Sequence, residues 1–423
     1  LIKILKYYHL FLIATSRKIC VMETGYLTSG QCYIQMAIKV KNPLLIDIYT
    51  KKFFAICTPF NMNAYHKDMT LKLENKENKL IKMPEEITSL DSAIKWSLEN
   101  AHPNPINQLA TLCGNSKIMV YNVNHAFCDG SMFKQIFAEL QNPNFNKPKL
   151  NLPLTFFTTY LEKIKSTEPH VLSPKNPKFT HFKPLKDENS NYSDENLEMV
   201  FSETNVKNIF NYNNGHVHQL TASLCASMML ASKALSDYDD GFGVQAAIDV
   251  RRYMDDSIKK SWDLNFHAGN IGIDCDNPKT IKDLIDGLDK KLKYEIENEE
   301  WLNHTHYLLL PLISPGDKRY INFKDYGLGL YITQMGMFKS NGDITDVMIN
   351  VNQDNNVYCI VLQSYSFISD NKNILKNHII FRRTGITSGV AKKYLNLIDY
   401  CLKNFNPDLE IKDFIDLLKK QII

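Results

Sequence analysis

Apolar and polar residues change their spacing several times along the chain, and each change predicts an element. Over 31–40 (Gln-Cys-Tyr-Ile-Gln-Met-Ala-Ile-Lys-Val) they alternate as a half-buried strand requires. Over 117–123 (Lys-Ile-Met-Val-Tyr-Asn-Val) the apolar run is nearly continuous, which suits a strand buried on both faces. Directly after it, Phe133, Ile136, Phe137 and Leu140 fall at i, i+3, i+4 and i+7, one face of a helix. The same reasoning predicts a strand at 69–73 and helices at 2–16, 42–54 and 90–100. The helix at 42–54 is expected to turn Leu44, Leu45, Ile48 and Phe53 inward, and that at 90–100 to start near Ser89 or Asp91. Further on, strands at 197–201, 243–250, 328–333, 345–351 and 357–365 are interspersed with helices at 218–235, 281–301, 388–403 and 411–420.

Between these stretches the pattern lapses. Residues 168–195 hold Pro169, Pro174, Pro177 and Pro184 and a polar Asp-Glu-Asn-Ser-Asn-Tyr-Ser-Asp run, the composition of a surface crossover. The chain therefore reads as α/β (α+β), two halves of similar size over 1–166 and 196–423 joined by a linker at 167–195. Its 423 residues agree, since a single core stops growing at about 250–300.

Composition narrows the classes. Hydrophobic residues at 44% and charged residues at 22% exclude a disordered chain and a fibre. The net charge of +3 is too weak for a nucleic-acid binder, and the charges interleave, as at Lys72, Glu74, Lys76, Glu77 and Lys79. Nine scattered cysteines, none in a Cys-x-x-Cys pair, fit a reduced thiol population rather than a disulfide framework or a zinc site. No metal is expected. No run of about 18 uncharged apolar residues marks a spanning helix. The apolar stretch His9-Leu-Phe-Leu-Ile-Ala14 reads as a helix face rather than a signal peptide. A soluble, cytoplasmic monomer is expected.

The chemistry concentrates in Asn122-Val-Asn-His125-Ala-Phe-Cys-Asp129-Gly130. Here a buried strand ends, His125 emerges in the loop, and Asp129-Gly130 lead into a helix. An imidazole held there can act as a general base near neutral pH. Asp129 has two possible jobs: orienting the imidazole as in a triad, or anchoring the loop by pairing with an arginine. Gly130 permits a turn that a side chain would obstruct. The plain structural alternative is a loop histidine followed by an N-capping aspartate. His-x-x-x-Asp-Gly alone is a weak signal; its place between strand and helix singles it out. The pairs His216-Val-His218 and His304-Thr-His306 lack an accompanying cluster of ligands and are read as chance. Cys128, inside the motif, reads as a buried spacer.

In that context the motif resembles the signature of the coenzyme A-dependent acyltransferase superfamily, which includes chloramphenicol acetyltransferase, condensation domains and alcohol acetyltransferases. Weaker matches follow in order. Leu5-Lys-Tyr-Tyr-His-Leu-Phe-Leu-Ile-Ala14 with Gly25-Tyr26 resembles the opening helix of alcohol acetyltransferases. Ala247-Ile-Asp-Val-Arg251 resembles the strand carrying the family arginine, Ala268-Gly-Asn-Ile-Gly272 the Gly-Asn segment, and Leu330-Tyr-Ile-Thr333-Gln334-Met-Gly336 the later Ser/Thr-Asn-x-Gly strand.

The resemblance implies two chloramphenicol-acetyltransferase-like subdomains of mixed sheets flanked by helices, with an active-site channel between them. It implies His125 as general base, Asp129 as a structural partner of Arg251, and Thr333 as a candidate oxyanion donor. Asn124, Asn270 and Gln334 become candidates for the substrate channel. Acyl-CoA, acetyl-CoA in particular, would be the co-substrate, with no permanently bound cofactor and an alcohol or amine as acceptor. Three departures matter. Asn124 replaces the first histidine of condensation domains, Gln334 replaces the commoner Asn, and the C-terminal Asp-Phe-Gly-Trp-Gly of plant enzymes is absent. A condensation-like protein using carrier-bound substrates and a catalytically silent binding relative are the alternatives.

Overall fold

The apolar run after Lys117 becomes the central strand of a five-stranded sheet, and what covers it explains its composition. The computed structural model describes residues 16–28, 32–65, 68–104, 106, 108–147, 152, 156–170, 178–182, 197–236, 241–254, 268–314, 328–352, 359–370, 372–382 and 386–422. The expected helix over 2–16 lies outside these residues except for Ser16, as does most of the 167–195 crossover. The described chain divides into two units, one drawn from 1–160, 251–267 and 340–353, the other from 161–250, 268–339 and 354–423. The expected halves are contiguous in sequence; these units are not.

In the first unit, helix α1 (Val21–Thr28) precedes strand β1 (Tyr33–Val40), helices α2 (Leu44–Ile56) and α3 (Leu90–Asn100), strands β2 (Ala110–Gly114) and β3 (Ile118–Asn124), and helix α4 (Gly130–Leu140). β3 lies between β1 and β2, antiparallel to both, and all of it is buried. On one face Tyr121 packs against Phe53 of α2, Phe60 and Phe133 of α4 at centroid distances of 4.9, 5.6 and 5.5 Å. The other face carries a row of amides. Asn350 Nδ2 donates to Gln35 Oε1 (2.7 Å), Gln35 Nε2 to Asn122 Oδ1 (2.8 Å), and Asn122 Nδ2 to Thr111 Oγ1 (3.1 Å). Ser97 of α3 closes the row, receiving from Gln35 at 2.6 Å.

That row explains a difference from the sequence pattern. Strand Ile344–Asn352, expected within the second half, instead pairs antiparallel with β1. A buried amide left unmatched costs about 1–3 kcal/mol, so Asn350 opposite Gln35 favours this sheet and this register.

In the second unit, strand β4 (Leu197–Asn205), helix α5 (Leu220–Ser236), strands β5 (Phe242–Asp249) and β6 (Ala268–Cys275), helices α6 (Ile281–Glu297) and α7 (Trp301–Ile313), strands β7 (Leu328–Lys339), β8 (Cys359–Ser369) and β9 (Lys372–Arg382), and helices α8 (Ser388–Asn404) and α9 (Ile411–Lys420) follow one another. The sheet order is β6-β5-β7-β8-β9-β4, with β5, β7 and β8 parallel and the outer pairs antiparallel. Every residue of α5 from Ala222 to Ala234 is buried, as expected of a helix apolar on all sides. Gly269, in the Gly-Asn segment, leaves no room for a Cβ, which would meet Val250 at 2.8 Å and Trp301 at 3.1 Å.

Some expectations need correction. α2 buries Ile46, Tyr49, Phe53 and Ile56, while Leu44 is 75% and Ile48 48% exposed. The stacking of Phe53 on Tyr121, with Tyr49 also buried, goes with a rotation that turns Leu44 and Ile48 outward. The helix expected over 281–301 ends at Glu297, and Glu299 takes a positive φ of 53° before α7 starts. α1, α7, β2, β6 and β9 were not anticipated as elements. No helix among the described residues is long and apolar enough to cross a membrane.

Asp399 of α8 offers a test of the second unit's interior. It is 9% exposed and accepts from Asn377 Nδ2 at 3.3 Å. Burial raises its carboxyl above the usual aspartate range, opposed by the Ser202 hydroxyl and the Asn377 amide. A raised folded pKa means that the folded state holds the proton more tightly. Stability is then greatest below the unfolded pKa of about 3.9 and declines as pH rises through the folded value. Asp399→Asn is therefore expected to melt above the parent protein at neutral pH, with the gap closing near pH 3.5. A gap independent of pH would show that Asp399 ionises without cost.

Candidate active site

The site grows from the end of β3. Asn124 N donates to Leu109 O (2.8 Å) and His125 N to Cys32 O (3.0 Å), after which the chain makes a single 3-10 turn, His125–Phe127. Asn124 caps that turn, its Oδ1 accepting from Ala126 N at 3.0 Å, while its Nδ2 reaches Tyr26 O at 3.4 Å. The position that departs from condensation domains thus ties the motif loop to α1. Tyr26 itself stacks on the His125 ring, centroids 5.3 Å apart and planes 22° from parallel. The other end of the turn, Phe127, is fully buried and lies 5.9 Å from the guanidinium of Arg17. Arg17 in turn pairs with buried Glu23 of α1, Nη1 to Oε2 at 2.8 Å.

His125 is 5% exposed. Burial lowers its pKa below the ordinary histidine value, against the opposing pull of the backbone carbonyls of His125 and Cys128 and the charge of Asp129. The ring is accordingly biased toward the neutral form, the state that can accept a proton.

Asp129 performs two structural tasks. Its Oδ1 accepts from Met132 N at 2.9 Å, capping α4 ahead of Gly130, and its two oxygens face Arg251, with Nη1 to Oδ1 at 3.1 Å and Nη2 to Oδ2 at 3.0 Å. The fork is bidentate and nearly dry, with side-chain exposures of 10% for Arg251 and 7% for Asp129. Arg251 comes from a 3-10 turn, Val250–Tyr253, immediately after β5, and belongs to the first unit. Cys128 is fully buried and its thiol is pushed well above the usual range, first by burial and then by Asp129. A thiolate nucleophile is disfavoured there.

His125, Asp129, Gly130, Arg251 and Asn124 are thus gathered in the first unit. Thr333, Asn270 and Gln334 lie in the second. Register places Asn270, Ala247, Thr333, Gln363 and His378 in one row across β6, β5, β7, β8 and β9, so these side chains share a face. Tyr331 Oη donates to Asn270 Oδ1 at 2.5 Å on the same face. Gln334, one residue on, faces the opposite way, and its Oε1 accepts from Gly336 N at 3.1 Å. It bridges a bulge between Gln334 and Met337 at which Gly336 takes a φ of +82°, suited to glycine.

Tyr26 has no assigned role in the sequence pattern, and no motif there marks Gln363 or His378. Tyr26 lies 99 positions before His125, and only tertiary contact joins them. If its ring keeps water from the imidazole, Tyr26→Ala should raise the His125 pKa toward about 6.5, because burial is the leading cause of the depression. Ring-proton titration by NMR checks this; an unchanged midpoint would locate the desolvation elsewhere.

No family model matches the sequence, and no curated protein matches it. Solved structures do. Trichothecene 15-O-acetyltransferase from Fusarium sporotrichioides superposes with a TM-score of 0.62 at 11% identity, over 92% of this chain and 95% of that one. The condensation domain of the monacolin K polyketide synthase MokA gives 0.63 at 13% identity, over 94% and 99%. A mutant starter condensation domain of rhizomide synthetase, in complex with C8-CoA and Leu-SNAC, gives 0.61 at 8% identity, over 95% and 97%. With mixed sheets flanked by helices in each unit and these structures alike over nearly its whole length, the chain has the fold that this acetyltransferase and these condensation domains share.

Proposed function

We propose that this protein is an acyltransferase that moves an acyl group, acetyl in the simplest case, from coenzyme A to the hydroxyl of a small alcohol, with amines as the next class of acceptor. The observation that carries the reading is the placement of His125, in the turn at the end of β3 and four residues before an aspartate committed to Arg251 through a bidentate pair. In this reading His125 takes the acceptor's proton as the acceptor oxygen forms its bond to the thioester carbonyl carbon. Thr333 donates to the developing oxyanion. The tetrahedral adduct collapses, the carbon–sulfur bond breaks, and the coenzyme A thiolate leaves with the proton held by the imidazolium. No bond to the enzyme forms. The two units, the first of them including residues 251–267 and 340–353, serve as the two acyltransferase subdomains, and the protein works as a cytoplasmic monomer.

The test is release of free thiol from acetyl-CoA and octanoyl-CoA in the presence of panels of alcohols and amines. Acceptor-dependent thiol release supports the reading. Release from a carrier-bound thioester alone would favour the condensation-like alternative, and a folded protein silent with every donor would favour the binding relative.

A further inference from the structure

A cavity of about 610 Å³ lies within the first unit, between α2 and the hairpin Met62–Tyr65 and Thr70–Leu73. Its lining brings together Lys51 of α2, Lys76 and Lys147, with Glu74 the one carboxylate among them. Glu74 is already committed: it accepts from Tyr65 Oη at 2.6 Å and lies 3.4 Å from Lys76, and these contacts hold its pKa below the usual carboxylate range. Among the described residues no carboxylate lies within 4 Å of Lys51 or Lys147. Three lysines, Lys51 and Lys147 from distant parts of the chain and Lys76 beside Glu74, thus outnumber the single carboxylate of the lining. Such a field concentrates anions.

The walls suggest which anion. Asn78 Nδ2 donates to Asn61 Oδ1 at 3.3 Å, and Gln108 Nε2 to Asn78 Oδ1 at 3.3 Å, so amides are already fixed at the polar side. Phe54, held edge-on against Phe60 with centroids 4.9 Å apart, supplies an apolar side. Lysines are compact point charges suited to phosphate, whereas planar carboxylate recognition favours the arginine fork, which is not part of this lining. A phosphate ester carries about −1.5 to −2 charges at neutral pH, matching the two lysines. The volume falls within the usual range for small-molecule sites, about 300–1,000 Å³.

We propose that this cavity binds a phosphate monoester carrying an aromatic or short apolar group, with Lys51 and Lys147 holding the phosphate and Phe54 the apolar part. The inference does not depend on acyl transfer at His125. Its test is calorimetric titration of the full chain with phenyl phosphate, benzoate, phenol and inorganic phosphate. Phenyl phosphate is expected to bind at least about tenfold more tightly than the other three, and less tightly as salt is raised. The Lys51→Ala/Lys147→Ala double variant should lose about tenfold in affinity, and the corresponding double arginine variant should recover much of it. Both lysines are exposed, so an unchanged melting temperature is expected to accompany the loss. Phenyl phosphate binding no better than phenol or inorganic phosphate, or binding undiminished in the double alanine variant, would overturn the assignment.

Discussion

Replacing Asp129 by alanine is expected to lower stability by about 3–5 kcal/mol, because it leaves the Arg251 guanidinium buried without its carboxylate. Loss of the α4 cap adds about 1 kcal/mol. The melting temperature should fall by on the order of 10 °C, with activity falling alongside it. Asp129→Asn separates the two tasks, since an asparagine oxygen can still accept from Met132 N while the charge opposite Arg251 is gone. Combining Asp129→Ala with Arg251→Ala should cost less than the sum of the single changes, because no charge is then stranded. Parent-like melting in Asp129→Ala together with lost activity would mean that the aspartate acts on the chemistry rather than on the loop.

For His125→Ala the expectation is reversed: turnover should drop by about 10²–10⁴-fold, the usual contribution of a positioned general base. The melting temperature should change less than in Asp129→Ala, since no buried charge loses its partner. The pH profile gives a second readout. Because burial lowers the His125 pKa, the acid limb of the rate should lie below about pH 6.5 rather than at it. Thiol release across pH 5–8 checks this, and full activity in His125→Ala would remove the general-base mechanism.

Much of this protein is decided locally and could be read from residue order. The nearly continuous apolar run after Lys117 calls for cover on both faces, and β3 is so covered. The Phe133, Ile136, Phe137, Leu140 spacing leaves one face for α4 to bury. Ser89 caps α3 and Thr280 with Asp283 forms a capping box on α6, because a hydroxyl or carboxylate at a helix start answers backbone N–H groups a few residues away. The position of His125 between a strand end and a capped helix is of the same kind.

What residue order leaves open is decided across long separations. Nothing near Asp129 says whether its carboxylate will turn to the imidazole or to an arginine 122 positions away; the structure places it on Arg251, where a desolvated guanidinium needs a bidentate partner. Nothing in Ile344–Asn352 says that it belongs with β1; Asn350 and Gln35, 315 positions apart, settle that by satisfying each other inside the first unit. On α2 the pattern gives Phe53 its inward place, but Leu44 and Ile48 compete on equal terms with Ile46 and Tyr49 until Tyr121 is there for Phe53 to stack against. Tyr26 gained its place beside His125 only when the chain had folded. Helices and strands answer to periodicity and caps within a few residues, whereas buried charges, amides and stacked rings answer to whichever partner the folded chain brings to them.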